Sequence, residues 1–243
     1  MFAFAVTVAV TVAFSALGAG CDAPADALAP ALRGRQLFES GALSPSHLNL
    51  FACTTCHDAV PSPDVDDHKT GGAMAGATQR TSYWGGQEDD LLRSINACRA
   101  QFMDVSAPIA PSDPDAEALY AYLASLEPGD ADPVAFTVVR SVADLPRGDA
   151  TAGQVLFATT CTACHGTMHT GAGRLGTRIP VLPEGTLIAH VDFSPAAQRL
   201  VFIEKIRHGG LLGYGGDMPP YSLEVLPDAA VSDLLEALGV LGQ

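Results

Sequence analysis

One pattern occurs twice along this chain and restricts its fold more than any other feature. Gly34-Arg35-Gln36-Leu37-Phe38 is followed by Cys53-Thr54-Thr55-Cys56-His57. Far downstream, Gly153-Gln154-Val155-Leu156-Phe157 is followed by Cys161-Thr162-Ala163-Cys164-His165. Each copy ends in an apolar-periodic stretch opened by an acid, Asp115 to Glu127 and Asp228 to Leu241, which reads as a closing helix. A repeat of this kind predicts two domains on one plan, and 243 residues are enough for both. The 24 glycines and 17 prolines favour short helices joined by irregular segments. The copies differ in one place: residues Glu39 to Leu50 are an insertion before the first Cys-x-x-Cys-His. The resulting boundaries are a leader at 1–21, a tether at 22–32, a first domain at 33–127, a linker at 128–147 and a second domain at 148–243. Phe136-Thr137-Val138-Val139 is a short β-like run within the linker.

Cys-x-x-Cys-His is the attachment signature of c-type haem. Two thioethers need cysteines one helical turn apart, and the adjacent histidine supplies an imidazole to the iron as proximal ligand. One motif alone is compatible with a redox dithiol or half a zinc site. Two copies, each after a Gly-x-x-Leu-Phe helix, argue for two covalently bound haem c groups. They would be held by Cys53, Cys56 and His57, and by Cys161, Cys164 and His165.

The distal ligands follow less directly. In the second domain Met218 precedes Pro219 and Pro220, and a methionine held in so stiff a loop is a natural sixth ligand. His208 is a less favoured substitute, and His169 and His190 read as surface or propionate-side residues. In the first domain Leu91, Ile95, Cys98 and Phe102 recur at helical spacing and share one face. Met103 borders that face. Both sulfurs, Cys98 and Met103, are candidate metal ligands, and helical spacing does not choose between them; His68, Met74 or an open site are further possibilities. Cys98 is also the cysteine left over once four hold haem and Cys21 is set aside, and the competing reading makes it an inert buried residue. Trp84 reads as a haem-edge residue or a core anchor. Arg80 and Arg99 read as solvated cations, or else as partners for a propionate or small anion.

The second domain, from about Gly148 to Gln243, resembles a class I cytochrome c over its whole length. Ile95-Asn96-Ala97-Cys98 with Phe102-Met103 is similar to the distal helix of the thiosulfate dehydrogenase and sulfur-oxidising dihaem cytochromes, in which a cysteine in this setting ligates the haem. Phe102 departs from the enzymes, which carry a small polar residue there. The resemblance implies an all-α protein of two tandem cytochrome c domains, each a few short helices around a covalent haem. It further implies electron transfer between redox partners, with no catalytic residue of its own. Two enzymatic alternatives remain, thiosulfate oxidation at the Cys98 site and, less favoured, a dihaem peroxidase.

Residues Met1 to Gly20 are uncharged and apolar and run into Cys21, which reads as a signal peptide with Cys21 a candidate for lipid acylation. The expected location is therefore the periplasm, with a possible membrane tether through Cys21. A formal charge of −14, with Lys69 and Lys205 the only lysines, argues against nucleic acid as a partner. The expected partners are other redox proteins presenting a basic docking patch.

Overall fold

A computed structural model of the chain describes residues 29–62, 68–126, 131–210 and 216–241. The expected leader and Cys21 lie outside the described residues. Among the described residues the fold is all-helical, without strands; the only β pairing is an isolated bridge between Tyr83 and Glu88. No helix among them is long and apolar enough to cross a membrane.

In the first half, α1 (Pro30–Glu39) opens, α2 (Cys53–Cys56) is a single turn, α3 (Leu91–Phe102) follows and α4 (Pro114–Ser125) closes. The helix starts at Pro30, so the tether expected at 22–32 overlaps it. Proline suits a first-turn position, where its missing N–H has no helical partner. Asp90 caps α3 by accepting from the Arg93 N–H, and Asp113, not Asp115, caps α4. Asp115 instead sits in the first turn and pairs with Arg33 of α1.

The second half runs through α5 (Ala150–Thr160), α6 (Thr162–His165), α7 (Glu184–Ala189), α8 (Pro195–His208) and α9 (Asp228–Ala237). In both halves the opening helix packs along the closing one, α1 on α4 and α5 on α9. The repeated glycine explains how. A Cβ on Gly34 would stand 1.9 Å from the Ala118 carbonyl oxygen, and one on Gly153 would stand 1.9 Å from that of Asp233. Only glycine allows backbones so close. The repeated phenylalanines Phe38 and Phe157 are both buried one turn further on; Phe38 meets Tyr122 with ring centroids 5.4 Å apart.

The segment expected as a linker with a β-like run is a strap lying on both halves, and it forms no strand. Thr137 bonds the Glu224 carboxylate through its N–H and hydroxyl. Val139 offers its carbonyl to His208, and Val142 and Leu145 pack on the second core. Buried Arg199 on α8 fastens the strap's end, bonding Asp144 and the carbonyls of Leu145, Pro146 and Val240. A guanidinium has enough donors to gather four acceptors in this way. The insertion before the first motif also has a place: Arg178 donates to the Leu48 carbonyl, and Leu50 packs against Gly176 of the second half.

Candidate functional site

Each half encloses a cavity, and each Cys-x-x-Cys-His lines one of them. Cys53, Cys56 and His57 line the first; Cys161, Cys164 and His165 line the second. The α2 turn and the start of α6 put both cysteines of each pair on a tight helical turn. No group of three His, Cys, Asp or Glu side chains among the described residues is arranged to hold a metal ion.

The two histidines are held alike. His57 Nδ1 lies 2.8 Å from the Gly72 carbonyl, and His165 Nδ1 lies 3.0 Å from the Pro180 carbonyl. The acceptor is fifteen residues on in each half. A carbonyl only accepts, so Nδ1 carries the proton and Nε2 is left with its lone pair, as metal ligation requires. Burial lowers the pKa of both imidazoles, which favours the same neutral form. Gly71 makes the first arrangement possible, because a Cβ there would sit 2.2 Å from the His57 ring.

The cysteines are half-buried and not activated. Desolvation pushes Cys53 and Cys161 up to about 12 and Cys56 up to about 11. A dithiol redox centre needs the opposite shift. Neutral imidazoles with a free Nε2, paired thiols beside them and mainly apolar walls together fit haem c. In the second wall the Thr160 hydroxyl is buried without a partner, as it would be in a cavity shaped for an occupant.

The candidate distal residues divide cleanly. Met218 lines the second cavity with His165. His208 does not: its ring bonds Glu204 of its own helix through Nδ1 and Val139 of the strap through Nε2, which commits both nitrogens. His169 is exposed beside Glu184, and His190 bonds the Thr186 carbonyl. In the first cavity the α3 face appears as its spacing predicts, with Leu91, Ile95, Cys98 and Phe102 all lining the wall. Met103 and Met74 line it too, while His68 faces the second cavity. Burial raises the Cys98 thiol, and its side chain shares the first wall with Cys53, Cys56 and His57. Met103 is packed into the core with Leu43 and Phe51.

Two expectations need correction. Arg99 is not solvated: it is buried in the first wall, bonding Leu43, Asn96 and Ala107. Arg80 also lines this wall and is fixed to the Ala73 and Ala75 carbonyls. The Trp84 indole N–H donates to the Ser94 carbonyl, while its ring stacks on Phe102 and meets Phe136 edge-on.

Sequence reasoning missed the walls contributed across the molecule. Val134 and Phe136 of the strap, with Pro219 and Pro220, close the first cavity. Leu50, His68 and Lys69 help close the second. Phe51, Cys56, Thr70 and Pro219 line both, so a single layer of residues separates the two cavities. The only sequence signal for Gly72 and Pro180 was their equal distance from the two histidines.

Residues 148–236 match the family model described as cytochrome c oxidase, cbb3-type, subunit III. This part of the chain is a cytochrome c domain. Such a domain implies covalently bound haem c and electron transfer with redox partner proteins. No curated protein matches the chain. Among solved structures, thiosulfate dehydrogenase (TsdBA) from Marichromatium purpuratum, in its as-isolated form, aligns over 86% of this chain with 17% identity and a TM-score of 0.41. The chain spans 45% of that protein.

Proposed function

We propose that the chain is an exported dihaem electron-transfer protein, with one haem c in each half. The observation that carries the reading is the duplicated proximal site: two Cys-x-x-Cys-His motifs, each with Nδ1 bonded to a carbonyl fifteen residues on. Cys53, Cys56 and His57 would hold the first group, and Cys161, Cys164 and His165 the second. Bound haem c supplies a one-electron iron couple whose potential follows the axial ligands. Met218 is assigned as the second distal ligand. For the first we assign Cys98, supported by its place on the α3 face that lines the cavity with Cys53, Cys56 and His57, with Met103 as the alternative. A thiolate there would hold the first site at lower potential than a thioether holds the second.

The reading includes residues 1–21 as a signal peptide, a periplasmic location and a lipid tether on Cys21. The chain's negative charge is suited to a redox partner with a basic docking patch. Low-temperature EPR of the oxidised, haem-loaded protein, with a haem-to-protein ratio, tests the core of this reading. Two haems, one with a thiolate-type signal and one with a His/Met signal, are expected; a ratio of one overturns the dihaem reading.

One observation favours an enzymatic second reading. Arg99 is a buried cation in the first wall with no carboxylate within ion-pairing distance among the described residues, beside the assigned Cys98. A buried cation whose bonds go to carbonyls and an amide can stabilise a small anion, as thiosulfate oxidation would require. Thiosulfate-dependent reduction of the haems, abolished in Arg99→Leu, would establish it.

A further inference from the structure

A chain of hydrogen bonds joins the two segments that carry the assigned distal sulfurs. Gln101 lies on α3 between Cys98 and Met103, and its side-chain amide donates to the Gly210 carbonyl at 3.0 Å. The Gly210 N–H donates in turn to the Met218 carbonyl at 2.8 Å. A Cβ at position 210 would approach Gly216 O to 2.4 Å and Gln101 Nε2 to 2.8 Å, so the junction leaves no room for a side chain. Beyond Met218, Pro219 and Pro220 fix their own φ angles, and the Tyr221 N–H anchors the segment to the Ile206 carbonyl. Pro219 lines both cavities and Pro220 the first. A displacement of Met218 therefore reaches the first site along two routes, through the stiff prolines to its wall and through Gly210 to its distal helix.

We propose that Gln101 is a coupling residue. By holding Gly210, it ties the distal helix of the first site to the Met218 segment of the second, so that a change of ligation at one haem alters the other. The inference rests on the reading that both sites hold haem and that Met218 ligates the second. Coupling of this kind is reciprocal. Its scale is that of one net neutral hydrogen bond, roughly fivefold in an equilibrium constant.

The test uses the haem-loaded protein as wild type and as Gln101→Met, which keeps a similar length but cannot donate. Each is prepared with and without Met218→Ala, and the oxidised forms are read by low-temperature EPR; the signal lost in Cys161→Ala/Cys164→Ala belongs to the second site. In the wild-type background, Met218→Ala should convert the second-site signal and also shift the first. In the Gln101→Met background the conversion should remain and the shift should shrink to what the proline route alone transmits. A first-site signal that Met218→Ala leaves unmoved, or a shift that survives undiminished in Gln101→Met, overturns the inference. If Met218→Ala does not assemble, imidazole titration replaces it. Gln101→Met should then bind imidazole at the second iron about fivefold more tightly, and an unchanged affinity overturns the inference. Fewer than two haems overturns the dihaem reading, a second-site signal indifferent to Met218→Ala overturns the Met218 assignment, and either takes this inference with it.

Discussion

The two cavities are alike on the proximal side and unlike on the distal side. Each presents a Cys-x-x-Cys-His whose imidazole is bonded to a carbonyl fifteen residues on, and each rests on a glycine-mediated helix crossing. The first takes its candidate distal sulfurs from a helix, the second from a loop stiffened by two prolines. A helix repeats its face every three to four residues, so α3 brings Cys98 to the cavity with Leu91, Ile95 and Phe102, and Met103, the residue that caps its end, reaches the same wall. A proline-bound loop brings one sulfur, Met218, to the other. The proximal half is the repeated half, and any difference in ligand chemistry between the sites has to come from the distal half.

Removing the attachment cysteines tests the shared half and should have the largest effect. Cys53→Ala/Cys56→Ala and Cys161→Ala/Cys164→Ala should each lower the haem-to-protein ratio from two to one, measured against protein mass. A variant that keeps both haems would break the equivalence of the motifs. Next come the distal sulfurs. Cys98→Ala should replace the thiolate-type EPR signal of the first site and raise its potential, since a neutral or absent ligand favours ferric iron less. Met103→Leu, which conserves volume, should leave the signal in place and cost less than about 1.5 kcal/mol in denaturant unfolding. The reverse result would move the ligand to Met103 and leave both sites His/Met.

The helix crossings should respond equally in the two halves. Gly34→Ala and Gly153→Ala each drive a Cβ to within 1.9 Å of a backbone carbonyl, so the helices must separate. Each substitution should cost about 3 kcal/mol, read from the denaturation midpoint of the haem-loaded protein. A cost confined to one half would mean that the repeated glycines no longer do the same job.

Local motifs were legible in the sequence, and assembly was not. The repeat, the α3 face, the closing helices and the Met218 loop depend on spacing within one segment, and periodicity records spacing. The strap escaped because Phe136 to Val139 is made of β-forming residues yet has no strand to pair with; its N–H and carbonyl groups go instead to Glu224 and His208. Arg99 escaped because its acceptors are mostly backbone carbonyls, which leave no mark in a sequence. The proximal acceptors Gly72 and Pro180 share no side-chain chemistry for the same reason. The shared wall between the cavities depends on packing between residues such as Cys56 and Pro219, more than 150 positions apart, which no local pattern encodes.

The strap gives the comparison its finest test, because it roofs the first cavity and is pinned on the second half. Burial opposes ionisation of Glu224, but the hydrogen bonds from Thr137 prevail and hold its carboxyl down at about 2. A carboxyl depressed on folding contributes stability above its unfolded pKa of roughly 4.3 and loses it as the pH falls through the folded value. Acidification from pH 5 to pH 2 should therefore release the Thr137 N–H from Glu224, seen as a loss of amide protection at Thr137 relative to its intrinsic exchange. Glu224 is exposed, so solvent and salt screen the contact and the effect on global stability should be small. The consequence should be one-sided. Phe136, one residue away, lies in the first wall and absent from the second, so the first haem's absorption should respond to this acid step and the second's should not. Glu224→Ala at neutral pH should reproduce the same one-sided change. An equal response at both haems would mean that the strap governs the whole assembly and not the roof of one cavity.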